Sequence, residues 1–178
     1  MASKIKVDQI QTADGTGTIA LQNQLSGMTS ASMPTGSVLQ VVQTSYNTQA
    51  AFSSTSLVAH GASATITPSS TSSKILISAQ VHRKHDPTNG ADSGLGFAWK
   101  RGSTTVWETP VAISDYIYQG GSPARQEIRG WVPLTYLDSP STTSATTYAL
   151  WARAYGNGSI YFQDSASQTI ITLMEIAG

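Results

Sequence analysis

The segment 74–84 (KILISAQVHRK) sets the terms for the whole chain. Ile75, Ile77, Ala79 and Val81 alternate there with Lys74, Ser78, Gln80 and His82. Side chains two positions apart share a face only on an extended strand, so this period predicts a half-buried β-strand and argues against an amphipathic helix. Similar runs rich in Val, Ile, Thr, Tyr and Trp predict further strands at 37–46, 57–67, 95–101, 104–108, 113–119, 127–137, 146–155, 159–163 and 169–176. Turn signals punctuate them at Gly61, Ser69-Ser70, 87–94, 101–103, 120–123, 139–141 and 156–158. Many short strands at such spacing predict an all-β fold, an antiparallel β-sandwich or jelly-roll-like head, rather than any α/β arrangement. Pro133 cannot donate to a ladder, which marks the 127–137 strand as an edge or the site of a bulge.

The first 36 residues follow a different pattern. Ile5, Val7 and Ile10 suit one short strand and 16–21 another, while Leu21, Leu25 and Met28 fall at helical spacing with Gly27 placed to stop a helix. Two helical turns are marginal alone, so this segment needs a surface to pack on. Residues 28–36 (MTSASMPTG) look like a linker. The expected division is an N-terminal docking arm and linker at 1–36 and a β-sandwich domain at 37–178, with Ile5, Val7, Ile10, Leu21 and Leu25 as the arm's contact residues.

Charge narrows the function classes. Only 11% of the 178 residues are charged, and ten basic residues cancel ten acidic ones, where about 25% charge is usual. There is no broad positive field for phosphates, which argues against nucleic acid as a partner. No apolar run is long enough to enter a membrane as a spanning helix. With no cysteine, disulfides and thiolate metal sites are excluded. Residues 1–14 carry Lys4, Lys6, Asp8 and Asp14 and lack the apolar core of a secretory signal, so synthesis and folding in a cytoplasm are expected. About a quarter of the chain is Ser or Thr and only five residues are Lys. Lysine is the usual guard of exposed sheet edges, so neighbouring subunits are expected to cover them in an obligate homo-oligomer.

Two constellations stand out as candidate sites. The first is His82, His85, Asp86, Asn89 and Asp92, read as a strand end running into a polar loop that would face a ligand at an exposed tip. His82 and His85 lie three apart, which on a strand sends them to opposite faces, and the carboxylates miss the twelve-residue calcium pattern; no metal or other cofactor is expected. The second is aromatic. Trp131 shares a strand face with Arg129, opposite Ile128, Val132 and Leu134. Trp151 shares one with Arg153 and Tyr155, opposite Leu150, Ala152 and Ala154. Trp beside Arg on a non-core face suits a protein interface or a sugar-stacking platform, the alternative being that both Trp residues belong to the core. For catalysis the sequence offers little. It has no G-x-S-x-G elbow, no phosphate loop and no dinucleotide fingerprint; Glu108, Glu127 and Glu175 have no paired-carboxylate signature, and three His leave any Ser-His-Asp triad unsupported. A non-enzymatic protein is expected.

The opening 3–12 (SKIKVDQIQT) resembles the short starts of tail-fibre-like virion proteins of tailed bacteriophages, particularly those of cyanobacterial hosts. The stretches 36–43 (GSVLQVVQ), 66–77 (ITPSSTSSKILI) and 172–178 (TLMEIAG) are similar to the β domain of the same proteins. The resemblance implies a homotrimeric β-sandwich on the virion surface, assembled in the host cytoplasm and joined to other virion proteins of tail or head through the arm. Host contact, with a surface glycan or protein, would fall to loops such as 82–94 and 120–124. Long fibres of this kind carry shaft repeats, which are absent here. The role implied is therefore a short tail fibre or fibre tip, with a capsid decoration protein as the alternative and a lectin-like module as a lesser one.

Overall fold

Five antiparallel strand pairs, each nested inside the last, organise the chain. The computed structural model describes residues 33–87, 91–109, 115–118, 127–156 and 159–178. The strands are β1 (Val38–Tyr46), β2 (Ala50–Phe52), β3 (Val58–Ile66), β4 (Lys74–Asp86), β5 (Ser93–Arg101), β6 (Thr104–Glu108), β7 (Asp115–Ile117), β8 (Ile128–Asp138), β9 (Thr146–Gly156), β10 (Ser159–Phe162) and β11 (Thr169–Ile176). β1 pairs with β11, β2 with β10, β3 with β9, β4 with β8, and β5 with both β6 and β7. A ribbon nested in this way and rolled across two sheets is a jelly roll. The first sheet runs β1-β11-β4-β8, with β10 and β2 extending from the far end of β4; the second runs β3-β9-β5-β6, with β7 also on β5. The expected all-β antiparallel sandwich is therefore what the chain forms. β8 pairs with β4 and no other described strand, the edge position that Pro133 requires.

Between the sheets the predicted inward residues meet. Ile75, Ile77, Ala79 and Val81 of β4 pack with Ile171 and Leu173 of β11, Val132 and Leu134 of β8, and Leu150, Ala152 and Ala154 of β9. β5 departs from the alternation: all seven residues Ser93–Trp99 are buried. Its outward positions are small, Gly94, Gly96 and Ala98, and they lie beside Tyr155, Arg153 and Trp151 of β9. Large side chains on one strand thus cover small residues on the next, an arrangement that shields glycine in sheets.

Gly61, which the sequence marks as a turn, sits inside β3 at an irregularity between Ala59 and Ser63. Its φ of 102° and the Tyr46 ring against it leave no room for a Cβ, so only glycine fits this bulge. His60 is buried in phase with Ala62, Ala64 and Ile66; its ring lies 4.4 Å from that of Phe162 and its Nε2 is 3.2 Å from the Gln163 amide. Burial pushes the His60 imidazole down to about 4. The folded state then binds fewer protons than the unfolded one between that value and 6.5, so stability drops as the pH is lowered across this window. Lowering the pH from about 7 to about 4.5 is expected to cost roughly 2–3 kcal/mol through this group. Urea midpoints at the two pH values check it, and a His60→Phe variant with the same pH dependence would contradict it.

Candidate functional site

The outward face of the first sheet can be read off its pairing register, because partners across an antiparallel ladder point the same way. Three successive rows cross β1, β11, β4 and β8 in turn. They are Val41, Met174, Leu76 and Leu137; then Gln43, Thr172, Ser78 and Thr135; then Ser45, Ile170, Gln80 and Pro133. None of these twelve residues is charged. The first row is wholly apolar and the second wholly hydroxyl or amide, with Gln43 Nε2 donating to Thr172 Oγ1 at 3.0 Å. One row further on, His82 pairs with Trp131. Trp131 is 48% exposed, which removes the core reading for this residue and leaves it outward, as the alternation predicted. Its ring meets that of His82 edge-on at 5.1 Å and, with Gln80 and Ile170, lines a shallow hollow. Burial lowers the His82 pKa, with Arg129 and Arg83 adding to the effect and Asp164 opposing it.

Charge begins where this face ends. Lys84 Nζ stands 3.5 Å from Glu127, 3.7 Å from Asp86 and 3.8 Å from Asp164. Arg129 bridges Glu127 at 2.7 Å and Asp164 at 3.1 Å, and Lys84 also lies 4.6 Å from the centre of the Tyr161 ring. Arg129 and Trp131 do share a face, but Arg129 belongs to this ion-pair cluster.

The second aromatic group stands apart from the first. Trp151, Arg153 and Tyr155 are on β9 and face outward from the second sheet, on the opposite side of the sandwich. Trp151 has Lys100 Nζ 3.7 Å above its ring, and Arg153 bonds Glu108 at 3.0 Å and the Thr109 carbonyl at 3.3 Å. The Tyr155 ring lies 5.8 Å from that of Tyr116, tilted 55° to it. Trp131 and Trp151 therefore do not form one platform, and Trp151 and Arg153 have partners within their own sheet.

The expected tip loop is corrected in part. β4 runs on to Asp86, so His82, His85 and Asp86 belong to a strand and are buried rather than displayed. Asp92 accepts from Tyr116 Oη at 2.7 Å, just before β5. Asn89, the 120–124 loop and the arm residues Ile5, Val7, Ile10, Leu21 and Leu25 lie outside the described residues.

His82 and His85 do take opposite faces, and the inward one joins a chain the sequence could not assemble. His85 Nδ1 is 2.7 Å from Ser93 Oγ and its Nε2 is 3.0 Å from Asp115. Arg83 clamps the same carboxylate through Nε and Nη2, the latter at 3.0 Å. Because a carboxylate only accepts, Nε2 donates to Asp115, while Nδ1 pairs with the serine hydroxyl. This is the connectivity of a Ser-His-Asp triad, yet Ser93 and His85 are both 0% exposed, and β5 is paired along both edges at Ser93. A nucleophile without surface cannot meet a substrate, so the chain joins the two sheets and does not present a reactive group.

A second buried carboxylate was also hidden in the sequence. Glu175 accepts from Ser69 N, Ser69 Oγ and Ser73 Oγ, each at 2.7 Å, and from Gln40 Nε2. Burial would raise its pKa, but these hydrogen bonds outweigh that and hold it low. Among the described residues no group of three His, Cys, Asp or Glu is placed to hold a metal ion.

Comparison with known proteins adds little to this geometry. No family model matches the chain, and no curated protein does. Among solved structures, a subviral particle of infectious bursal disease virus VP2 overlaps 78% of this chain at 13% identity and a TM-score of 0.40. The structure of T=1 particles derived from infectious bursal virus overlaps 78% at 13% identity and a TM-score of 0.38. The chain covers 37% and 36% of those two proteins. The jelly-roll assignment rests on the strand pairing and not on these overlaps.

Proposed function

We propose that this chain is a non-enzymatic structural protein of a bacteriophage virion, a homotrimer that forms a short tail fibre or fibre tip. Residues 1–36 attach it to the particle, and the loops at 87–92 and 120–124 face the host. The observation that carries this reading is the uncharged outer face of the first sheet. A four-stranded face without a single charge across three rows supports an assembly role, since its apolar row and exposed Trp131 would otherwise stay in water. The sequence resemblance supports the choice of a virion. Its three β-domain stretches contribute Gln40, then Ser69 and Ser73, then Glu175. These residues meet in one hydrogen-bonded cluster, so the three stretches lie together in the fold.

Phage particles assembled with the protein lacking residues 1–36 provide the test. The expected result is a folded β domain that no longer co-sediments with particles, while antibody labelling of intact virions marks the tail. Labelling over the head would convert the reading to a decoration protein. Retained attachment of the shortened chain would show that the arm is not the anchor, and absence of the full chain from particles would end the virion reading.

A further inference from the structure

The outer face of the first sheet also indicates what covers it. We propose that copies of this chain associate through this face, each covering the Val41, Leu76, Leu137, Thr135 and Trp131 surface of a neighbour. The inference rests on the homotrimer reading and adds to it the location of the contact.

Three features select a second copy over another partner. The first is charge. Symmetric association brings identical groups close together around the axis, where any net charge would confront its like. The twelve central positions of the face carry none; Lys84, Arg129, Glu127, Asp86 and Asp164 are gathered beyond one end, and Lys74 stands beyond the other, in the row of Val38 and Ile176. A strongly charged partner would find nothing to pair with. The second is hydrogen bonding. A hydroxyl both donates and accepts, so the row of Gln43, Thr172, Ser78 and Thr135 is complementary to a copy of itself. The third is apolar content and extent. Among the described residues, eight large hydrophobic side chains are exposed, and four of them, Val38, Val41, Trp131 and Leu137, stand on this one face. With strands about 4.8 Å apart and rows about 6.7 Å apart, the three rows that cross all four strands span about 19 by 20 Å. Three such faces turned toward a common axis remove roughly 1,100 Å² from water in the trimer.

The sheet's edges agree with this placement. β1 (VLQVVQTSY) has no charged residue to guard its open side, and β8 is guarded only by Pro133 and by charges near its ends. Partners spread over the face would shelter both edges.

The experiment uses the full chain and light scattering coupled to size exclusion. The wild-type protein is expected at trimer mass. The double variant Val41→Lys/Thr135→Lys changes two exposed side chains of the face and is expected at monomer mass, with an unchanged far-UV spectrum and a cooperative unfolding transition. Thr65→Lys/Thr147→Lys, exposed on the second sheet's outer face, is expected to remain trimeric. Since the chain lacks cysteine, a single Thr135→Cys thiol gives an independent measure, with maleimide labelling expected at least ~10-fold slower than at Thr65→Cys. A trimeric Val41→Lys/Thr135→Lys variant, or equal labelling at both thiols, overturns the location while leaving the homotrimer reading intact. A monomeric wild type overturns the homotrimer reading and this inference together.

Discussion

Glu175→Ala is expected to lower stability by about 3 kcal/mol, the largest loss from any single hydrogen-bonding side chain on β11. The carboxylate is fully buried and accepts from Gln40, from the backbone and side chain of Ser69, and from Ser73. It therefore ties β1, the turn between β3 and β4, and β11 together at one end of the sandwich. Truncation to alanine leaves Ser73, itself buried, without its acceptor and opens a void where the carboxylate stood. For a domain of this size each kcal/mol moves the melting temperature by about 2–4 °C, so a drop of about 6–12 °C is expected. Glu175→Gln keeps one acceptor oxygen but directs an NH₂ at donors, and about 2 kcal/mol should still be lost. Glu108→Ala, which breaks an exposed ion pair with Arg153 at 3.0 Å, should cost under about 1 kcal/mol. Equal melting temperatures for the Glu175→Ala and Glu108→Ala proteins would refute the anchoring role. The depressed carboxyl also sets a direction with pH: its contribution is present above the unfolded value of 4.5 and is lost as pH falls through the lower folded value.

Sequence pattern revealed the strands well and the long-range pairs poorly, for one physical reason. Alternation is local, so β3, β4, β8, β9 and β11 could be located, along with the outward turn of Trp131 and the opposed faces of His82 and His85. β2 has only three residues, Ala50–Phe52, too few to show a period. β5 hides its alternation because Gly94, Gly96 and Ala98 are buried beneath larger neighbours, so both of its faces look internal. The cluster of charge and imidazole at His82, His85 and Asp86 suggests a loop tip because such clusters usually mark a solvated end. Here the strand continues, and those groups are satisfied across and between sheets. Nothing in the spacing of His85, Ser93 and Asp115 announces their meeting, since it depends on how β4, β5 and β7 are brought together. A signal for Glu175 did exist. A carboxylate in a strongly apolar terminal strand needs several donors, and the serine-rich turn at 69–73 was the nearest concentration of them.

Asp115→Asn is expected to cost about 3 kcal/mol, and the form of the loss distinguishes a buried ionic bridge from ordinary packing. Asp115 of β7 in the second sheet receives hydrogen bonds from Arg83 and His85 of β4 in the first. The side chains of Arg83 and Asp115 are only 12% and 17% exposed. Burial alone would raise the Asp115 carboxyl, but the hydrogen bonds from His85 and Arg83 and their charges outweigh it and hold it at about 2. Because that folded value lies below the unfolded 3.8, its contribution is complete above the unfolded value and disappears as pH falls toward 2. Asparagine can still accept from His85 Nε2, so the Asp115→Asn loss falls mainly on Arg83, left as a nearly buried cation without a counter-charge. Removing that cation should then relieve the defect. The double variant Arg83→Met/Asp115→Asn is expected to be more stable than Asp115→Asn alone, by about 1–2 kcal/mol, although it carries one substitution more. Denaturant unfolding of the wild type, the two single variants and the double variant completes the cycle. If the double variant loses the sum of the single losses, Arg83 and Asp115 act independently and the bridge between the sheets is not what holds this end of the sandwich together.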